Sequence, residues 1–331
     1  MAKISRDVFD LLRGYGALLP ARFLAFPGRI SWSKLHDILL NNVLSDEHFR
    51  LYPPSTEYQR AFWKAAIDHL EAHIPDGDDD CEIDARIYDH YMALLPRVYN
   101  GGTCRSSATA GIPAPSYTTQ FWSTDPSYLS QDEVGLASLS KLTLLESRAF
   151  IERGTTGLRT WPASLALAEY LVLHPDIVAN RRVLELGSGA GFLGIVIGSI
   201  QVLHGSRRAS LHLTDVHEEV LSRCEKNLNL LCNASSQHRD VHYHALDWAD
   251  ARDSNRRSCV LDLFKDTSAE VILGADLVFD PDLIPALVET IALGLLEGDS
   301  SSTTTSTAIL ALTVRNRDTF GIFERLASEL R

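Results

Sequence analysis

Four short stretches carry side chains whose types and spacing suit the handling of a nucleotide-like ligand. Residues 183–194, Val-Leu-Glu-Leu-Gly-Ser-Gly-Ala-Gly-Phe-Leu-Gly, put an apolar strand before a glycine-rich turn that feeds a helix. Glycines at Gly187, Gly189 and Gly191 let a ligand approach the backbone more closely than a side chain allows. Glu185, near the strand's end, is a carboxylate that repels a pyrophosphate and can orient the ammonium of an amino-acid moiety. Asp215 ends the next apolar run, where a carboxylate can accept both hydroxyls of an adenosine ribose. Asp247 and Trp248 follow a third run. Together they suit an adenine, the carboxylate for its amino group and the indole for its ring. Asp276 closes a fourth run in Gly-Ala-Asp-Leu-Val-Phe-Asp-Pro, at the edge where open α/β sheets bind ligands. It is the first candidate to touch a reacting centre, and Phe279 is a candidate pocket wall.

The glycines alone leave two ligand classes open. Gly189-x-Gly191-x-x-Gly194 also satisfies the dinucleotide fingerprint, which points to a nicotinamide-dependent oxidoreductase. That fingerprint starts late after the strand's last apolar residue, Leu186, and it leaves Asp247, Trp248, Asp276 and Phe279 without a use.

These stretches need a particular set of elements to position them. Strands are expected at 182–186, 210–214, 241–245, 270–274 and 308–314, and helices at 162–171, 191–204, 217–231, 282–296 and 318–330. Pro162 suits the first turn of the leading helix. Alternating strands and helices imply an α/β fold: a doubly wound parallel sheet with helices on both faces. The first part of the chain has a different rhythm. Apolar residues fall at helical spacing in Val8–Leu12, Leu35–Leu39 and Phe62–Leu70, giving a mostly helical N-terminal domain. The acidic run at 76–80 lacks the ligand spacing of a calcium site and is expected to be a solvated connection. Residues 100–127 are rich in Gly, Ser, Thr and Pro, and the Ser/Thr tract at 300–307 suits a loop.

Composition narrows the class. The chain has 331 residues, 45% hydrophobic, with a formal charge of −12, which is room for two domains with sizeable cores. No apolar run reaches the roughly 18 residues of a membrane span, and the N-terminus lacks the apolar core of a signal peptide. The acidic balance argues against direct nucleic-acid binding, which rests on neutralising phosphates. Five cysteines with no CxxC spacing are expected to be free thiols of a reducing compartment, with no metal site. The expected location is cytoplasmic.

The motifs in this order (ELGSGAG, Asp215, LDW and GADLVFDP) resemble the seven-stranded, Rossmann-like S-adenosylmethionine-dependent methyltransferases. The acidic-x-x-aromatic pair Asp276/Phe279 resembles the protein-lysine branch. With Glu146-Ser-Arg and the lead-in Gly-Thr-Thr-Gly-Leu-Arg-Thr-Trp at 154–161, the pattern is similar to the eukaryotic elongation factor 2 lysine methyltransferase family. The resemblance is specific over roughly 140–315. It implies S-adenosyl-L-methionine as cofactor and a lysine on a protein substrate, elongation factor 2, as acceptor. It implies that Trp161 contacts the cofactor, that Gly187, Ser188 and Gly189 wrap its methionine and ribose portions, and that Asp215 holds the ribose. Trp248 would lie near adenine and Ala275 would line the cofactor beside Asp276. Asp276 and Phe279 would border the channel for the lysine. It divides the chain into a helical domain at 1–139, serving substrate selection, and a methyltransferase domain at 140–331. Two departures accompany it. Many relatives carry Tyr where this chain has Phe279, and the resemblance implies a closing β-hairpin beyond the last helix, where this sequence ends at Arg331. They keep open a rival reading, a non-catalytic methyltransferase-like binding protein.

Overall fold

The computed structural model describes residues 3–75, 81–96, 113–205, 208–301 and 306–329. The acidic run at 76–80, residues 100–112 of the Gly/Ser-rich stretch with Cys104, and part of the Ser/Thr tract lie outside the described residues. The chain divides into two compact units, Met1–Ala149 and Phe150–Arg331.

The first unit holds β1 (Lys3–Ser5), α1 (Arg6–Gly16), α2 (Trp32–Ile38), α3 (Glu47–Leu51), α4 (Thr56–Ala72), α5 (Ala85–Ala93), β2 (Ser116–Trp122), β3 (Glu133–Gly135) and β4 (Ser140–Glu146). The helices begin where the sequence offers caps. Ser31, Ser55 and Asp84 each accept a backbone N–H of the first turn of α2, α4 and α5. Val8, Leu11, Leu12 and Tyr15 of α1 share a core with Phe62, Trp63, Ala66 and Leu70 of α4, as their spacing anticipates. Helical periodicity did not anticipate the strands. β2 and β4 pair antiparallel over seven residues, and β1 pairs with β3. Alternation is weak in β2 because buried Thr118 and Thr119 are polar; Thr119 and Thr143 meet each other and His48 by hydrogen bonds.

The second unit is α/β. It runs α6 (Pro162–Leu173), β5 (Arg182–Leu186), α7 (Phe192–Leu203), β6 (Ser210–Asp215), α8 (Glu218–Leu228), β7 (Val241–Ala245), α9 (Arg257–Thr267), β8 (Val271–Ala275), α10 (Ile284–Ser301), β9 (Thr307–Ala311) and α11 (Arg317–Ser328). The five strands are parallel in the order β7-β6-β5-β8-β9. The order reverses between β5 and β8, which is where open α/β sheets leave a ligand crevice. Two differences from the expected elements matter. Helix α9 was not anticipated, because its apolar positions Val260, Leu261 and Phe264 are diluted by charge. Strand β9 ends at Ala311, three residues early, and beyond it Thr313 N reaches Asp276 and Arg315 lines the crevice.

Strand alternation sends Leu184, Leu186 and Ile272 to one face, where they join Phe264 of α9 and Leu287 and Ile291 of α10. Leu211 and Leu213 go to the other face, under Gly198 and Gly194 of α7. Phe264 is 1% exposed, and a Cβ on Gly294 would stand 2.6 Å from its ring, so α9 and α10 meet at full packing density. Phe264→Ala is expected to lower unfolding free energy by about 3–5 kcal/mol in urea titration. A loss below about 1 kcal/mol would show that this layer does not hold the sheet.

Candidate active site

One cavity of about 490 Å³ opens at the carboxyl ends of β5, β6, β7 and β8, within the size range of small-molecule sites. Its lining collects ten of the twelve residues singled out from the sequence: Trp161, Gly187, Ser188, Gly189, Asp215, Asp247, Trp248, Ala275, Asp276 and Phe279. Four strand ends brought together by the sheet order account for nine of them, and Trp161 comes from the segment before α6.

The glycine turn is tied to β6 by Ser188, whose N–H donates to Thr214 O at 2.8 Å and whose Oγ accepts from Thr214 N at 3.1 Å. Gly189 sits at φ +55, and a Cβ there would stand 2.9 Å from Gly157 O, so the lead-in segment lies directly over the turn. Gly191 and Glu185 do not line the cavity. Gly191, at φ +90, faces α8, where a Cβ would meet Cys224 Sγ at 2.8 Å and Leu228 Cδ1 at 2.9 Å. Its requirement is helix packing and a left-handed turn. Glu185 points by strand alternation to the α7 face, 3% exposed, with Oε2 buried and without a hydrogen-bond partner. The carboxylate expected to orient an ammonium therefore lies beneath the turn.

Burial pushes the Glu185 carboxyl up to about 8, with Ser188 opposing and the Asp215 charge adding to the shift. Burial also raises Asp215, partly countered by the backbone N–H groups of His217 and Gly189. Those two bonds, at 3.1 and 3.3 Å, occupy one lone pair on each Asp215 oxygen and leave capacity for two hydroxyls. Asp247 accepts Ala249 N at 2.9 Å, and a Cβ on Gly187 would stand 3.5 Å from the Trp248 ring.

Asp276 is held differently from the strand-end candidate read in the sequence. Its backbone is left-handed, φ +58. Oδ1 accepts from Thr313 N at 3.0 Å, and Oδ2 accepts from Arg315 Nη2 at 3.0 Å and from Ala163 N at 3.4 Å. Arg315 also lines the cavity, with its guanidinium 5.0 Å from the Trp161 ring centroid. No spacing signal in the sequence marked Arg315; an arginine after the last strand becomes a site residue only because β9 ends early. Ser164, Val216 and His217 are further lining residues without a sequence signature, and Thr156 comes from the lead-in stretch at 154–161. Trp161 Nε1 donates to Thr156 O at 3.1 Å, which fixes the indole. Phe279 is half exposed at the mouth.

The lining fits an adenosine-bearing cation. Asp215 offers two free acceptor positions, Trp248 a flat apolar wall, and the glycine turn a surface without side chains. Asp215, Asp247 and Asp276 set three carboxylates in the lining against Arg159 and Arg315. No group of three or more His, Cys, Asp or Glu that could hold a metal ion occurs among the described residues. Nor is any helix among them long and apolar enough to cross a membrane.

Comparison with known proteins gives the same direction. A family model described as lysine methyltransferase matches residues 141–327. Protein-lysine N-methyltransferase EFM3 of Chaetomium thermophilum is 34% identical over 203 residues, covering 59% of this chain and 54% of that protein. Protein-lysine N-methyltransferase EEF2KMT of Bos taurus is 29% identical over 337 residues, covering 96% of this chain and 87% of the relative. The Homo sapiens protein of the same name is 33% identical over 197 residues, 57% of this chain and 54% of its own. The chain thus spans about half the length of the first and third of these relatives.

The Glu185 shift has a consequence for stability. Unfolded, the carboxyl titrates near 4.5; folded, near 8. Between these values the folded state binds more protons, so this group's contribution is complete below pH 4.5 and is lost as pH rises through 8. Glu185→Gln removes that dependence. Between pH 5 and 8 the variant is expected to gain on the wild type by about 1 kcal/mol per pH unit in denaturant titrations. Parallel stability curves would exclude a raised Glu185.

Proposed function

The chain belongs to the lysine methyltransferase family, and from that we propose that it transfers a methyl group from S-adenosylmethionine to the ε-amine of a lysine on a protein, with elongation factor 2 as acceptor. The observation that carries the reading is the convergence of the four strand-end motifs and Trp161 on one cavity. The names of the fungal and mammalian relatives support a protein substrate. The choice of elongation factor 2 rests on the resemblance of the lead-in and of GADLVFDP. A cytoplasmic location follows from that acceptor, and substrate selection is assigned to the N-terminal unit on the same basis.

When bound, S-adenosylmethionine supplies an activated methyl on a positively charged sulfur. The chain's own part is to bind, align and exclude water. Asp215 accepts the ribose hydroxyls through its two free positions. Trp248 covers the adenine beside Asp247, and the turn from Gly187 to Gly189, with Ala275, lets the backbone approach the remainder. Phe279 and Trp161 give aromatic walls to an amine entering at the mouth. Free lysine has a pKa of about 10.4, and desolvation between those walls lowers it toward the neutral form. Held neutral between those walls, the lysine nitrogen would accept the methyl that the bound cofactor would supply, its C–S bond giving way as the N–C bond forms, and the surplus proton of the product would go to water. Asp276, held by three donors on its two oxygens, positions the wall.

The test is to incubate the full chain with tritiated S-adenosylmethionine and a lysate lacking the endogenous activity. One labelled band at the size of elongation factor 2, mapped to lysine, is the expected result. Asp215→Ala should weaken cofactor binding about 10- to 100-fold in calorimetry, in keeping with loss of charge-assisted hydrogen bonds worth about 1.5–3 kcal/mol, and abolish the band at limiting cofactor. A band elsewhere would replace the acceptor and keep the chemistry. Cofactor binding without label on any protein would instead favour the non-catalytic reading.

A further inference from the structure

Asp276 and Arg315 face the same cavity as Trp161 and Phe279, and their pairing bears on the protonation of an incoming amine. The Asp276 side chain is 3% exposed and that of Arg315 41%, so the carboxylate is internal and the cation reaches the open side. Thr313 N on Oδ1, and Arg315 and Ala163 N on Oδ2, fill three of the carboxylate's four acceptor positions, and the arginine supplies the opposing charge. The other charged or titratable groups in the lining are Arg159 before α6, Asp215 at the end of β6 with His217 just beyond it, and Asp247 after β7. Arg315 is the ion-pair partner of Asp276.

A lysine must lose a proton before its lone pair can attack a methyl. A carboxylate beside an ammonium raises the amine's pKa, and a cation beside it lowers that pKa. An uncompensated Asp276 would therefore hold the acceptor in its unreactive form. Resting on the methyltransferase reading above, we propose that Arg315 is a positioning residue that cancels the charge of Asp276 and thereby keeps the acceptor amine neutral. The displaced proton leaves to solvent water through the mouth beside half-exposed Phe279. The guanidinium suits this task because it stays charged at every working pH and its planar face can rest on an indole.

The experiment uses the full chain with purified elongation factor 2 as acceptor. Arg315→Gln keeps a hydrogen-bond donor for Asp276 and drops the charge, whereas Arg315→Lys keeps the charge. In Arg315→Gln the acidic limb of kcat against pH, which reports groups in the enzyme–substrate complex, is expected to move up by about one unit, a roughly tenfold loss on that limb that recovers at higher pH. Arg315→Lys should leave the limb in place. Asp276→Asn, which keeps one acceptor oxygen, turns an NH2 toward the remaining donors and leaves the cation unopposed, should move the limb down. Calorimetry in two buffers of different ionisation enthalpy reads the same effect without turnover. Formation of the complex with acceptor and S-adenosylhomocysteine should release about one proton in the wild type and less in Arg315→Gln. An equal loss at every pH in Arg315→Gln and Arg315→Lys, with unchanged proton release, is the signature of a merely structural arginine. That result would overturn the proposal and leave the methyltransferase reading standing. A wild type that binds cofactor and methylates no lysine at any pH would overturn both.

Discussion

A carboxylate that is almost wholly buried must be surrounded by donors, and Asp276 finds them on elements far apart in sequence. Helix α6 starts after Trp161, which supplies no side-chain cap, and Asp276 Oδ2 faces Ala163 N at that end instead. An anion there also meets the positive end of the helix dipole. Oδ1 holds the backbone just past β9 through Thr313 N, and Arg315 comes from the same segment. One side chain therefore fixes the lead-in, the end of β8 and the exit from β9 in a single arrangement. The left-handed backbone at Asp276 costs about 1–3 kcal/mol, which these bonds offset. Trp161 adjoins the same helix start, so the aromatic wall of the cavity is set by this carboxylate as well.

The other buried acid has the opposite character. Glu185 lies under the glycine turn with one oxygen lacking a partner, and burial there raises its pKa and drives the Cys224 thiol well up. Asp215, at the cavity edge above it, is raised for the same reason. The floor of the site thus resists accumulating negative charge by itself. A cationic ligand above Asp215 would reduce that resistance, whereas a pyrophosphate would increase it. Here the electrostatics and the family membership of the chain agree, and the nicotinamide reading of Gly189-x-Gly191-x-x-Gly194 loses its footing. Gly191 and Gly194 are packing positions, against α8 and against Leu213 of β6.

The cavity motifs were legible because each sits at a strand's end, where apolar alternation stops and a glycine or a carboxylate begins. The paired strands β2 and β4 were not, because buried threonines hide their alternation. Helix α9 was not, because charges interrupt its apolar face.

Local pattern determined the strand–helix alternation, the glycine turn and the positions of Asp215, Trp248, Asp276 and Phe279, since these depend on neighbours within a few residues. It also determined the acidic balance and the absence of a spacing that would mark a metal site. Only the tertiary structure decided which face of β5 receives Glu185, that Gly191 serves α8, and that Arg315 reaches Asp276 across 39 positions of sequence. Those outcomes follow from strand order, from where β9 stops, and from the need of a buried carboxylate for donors. No local stretch of residues contains that information.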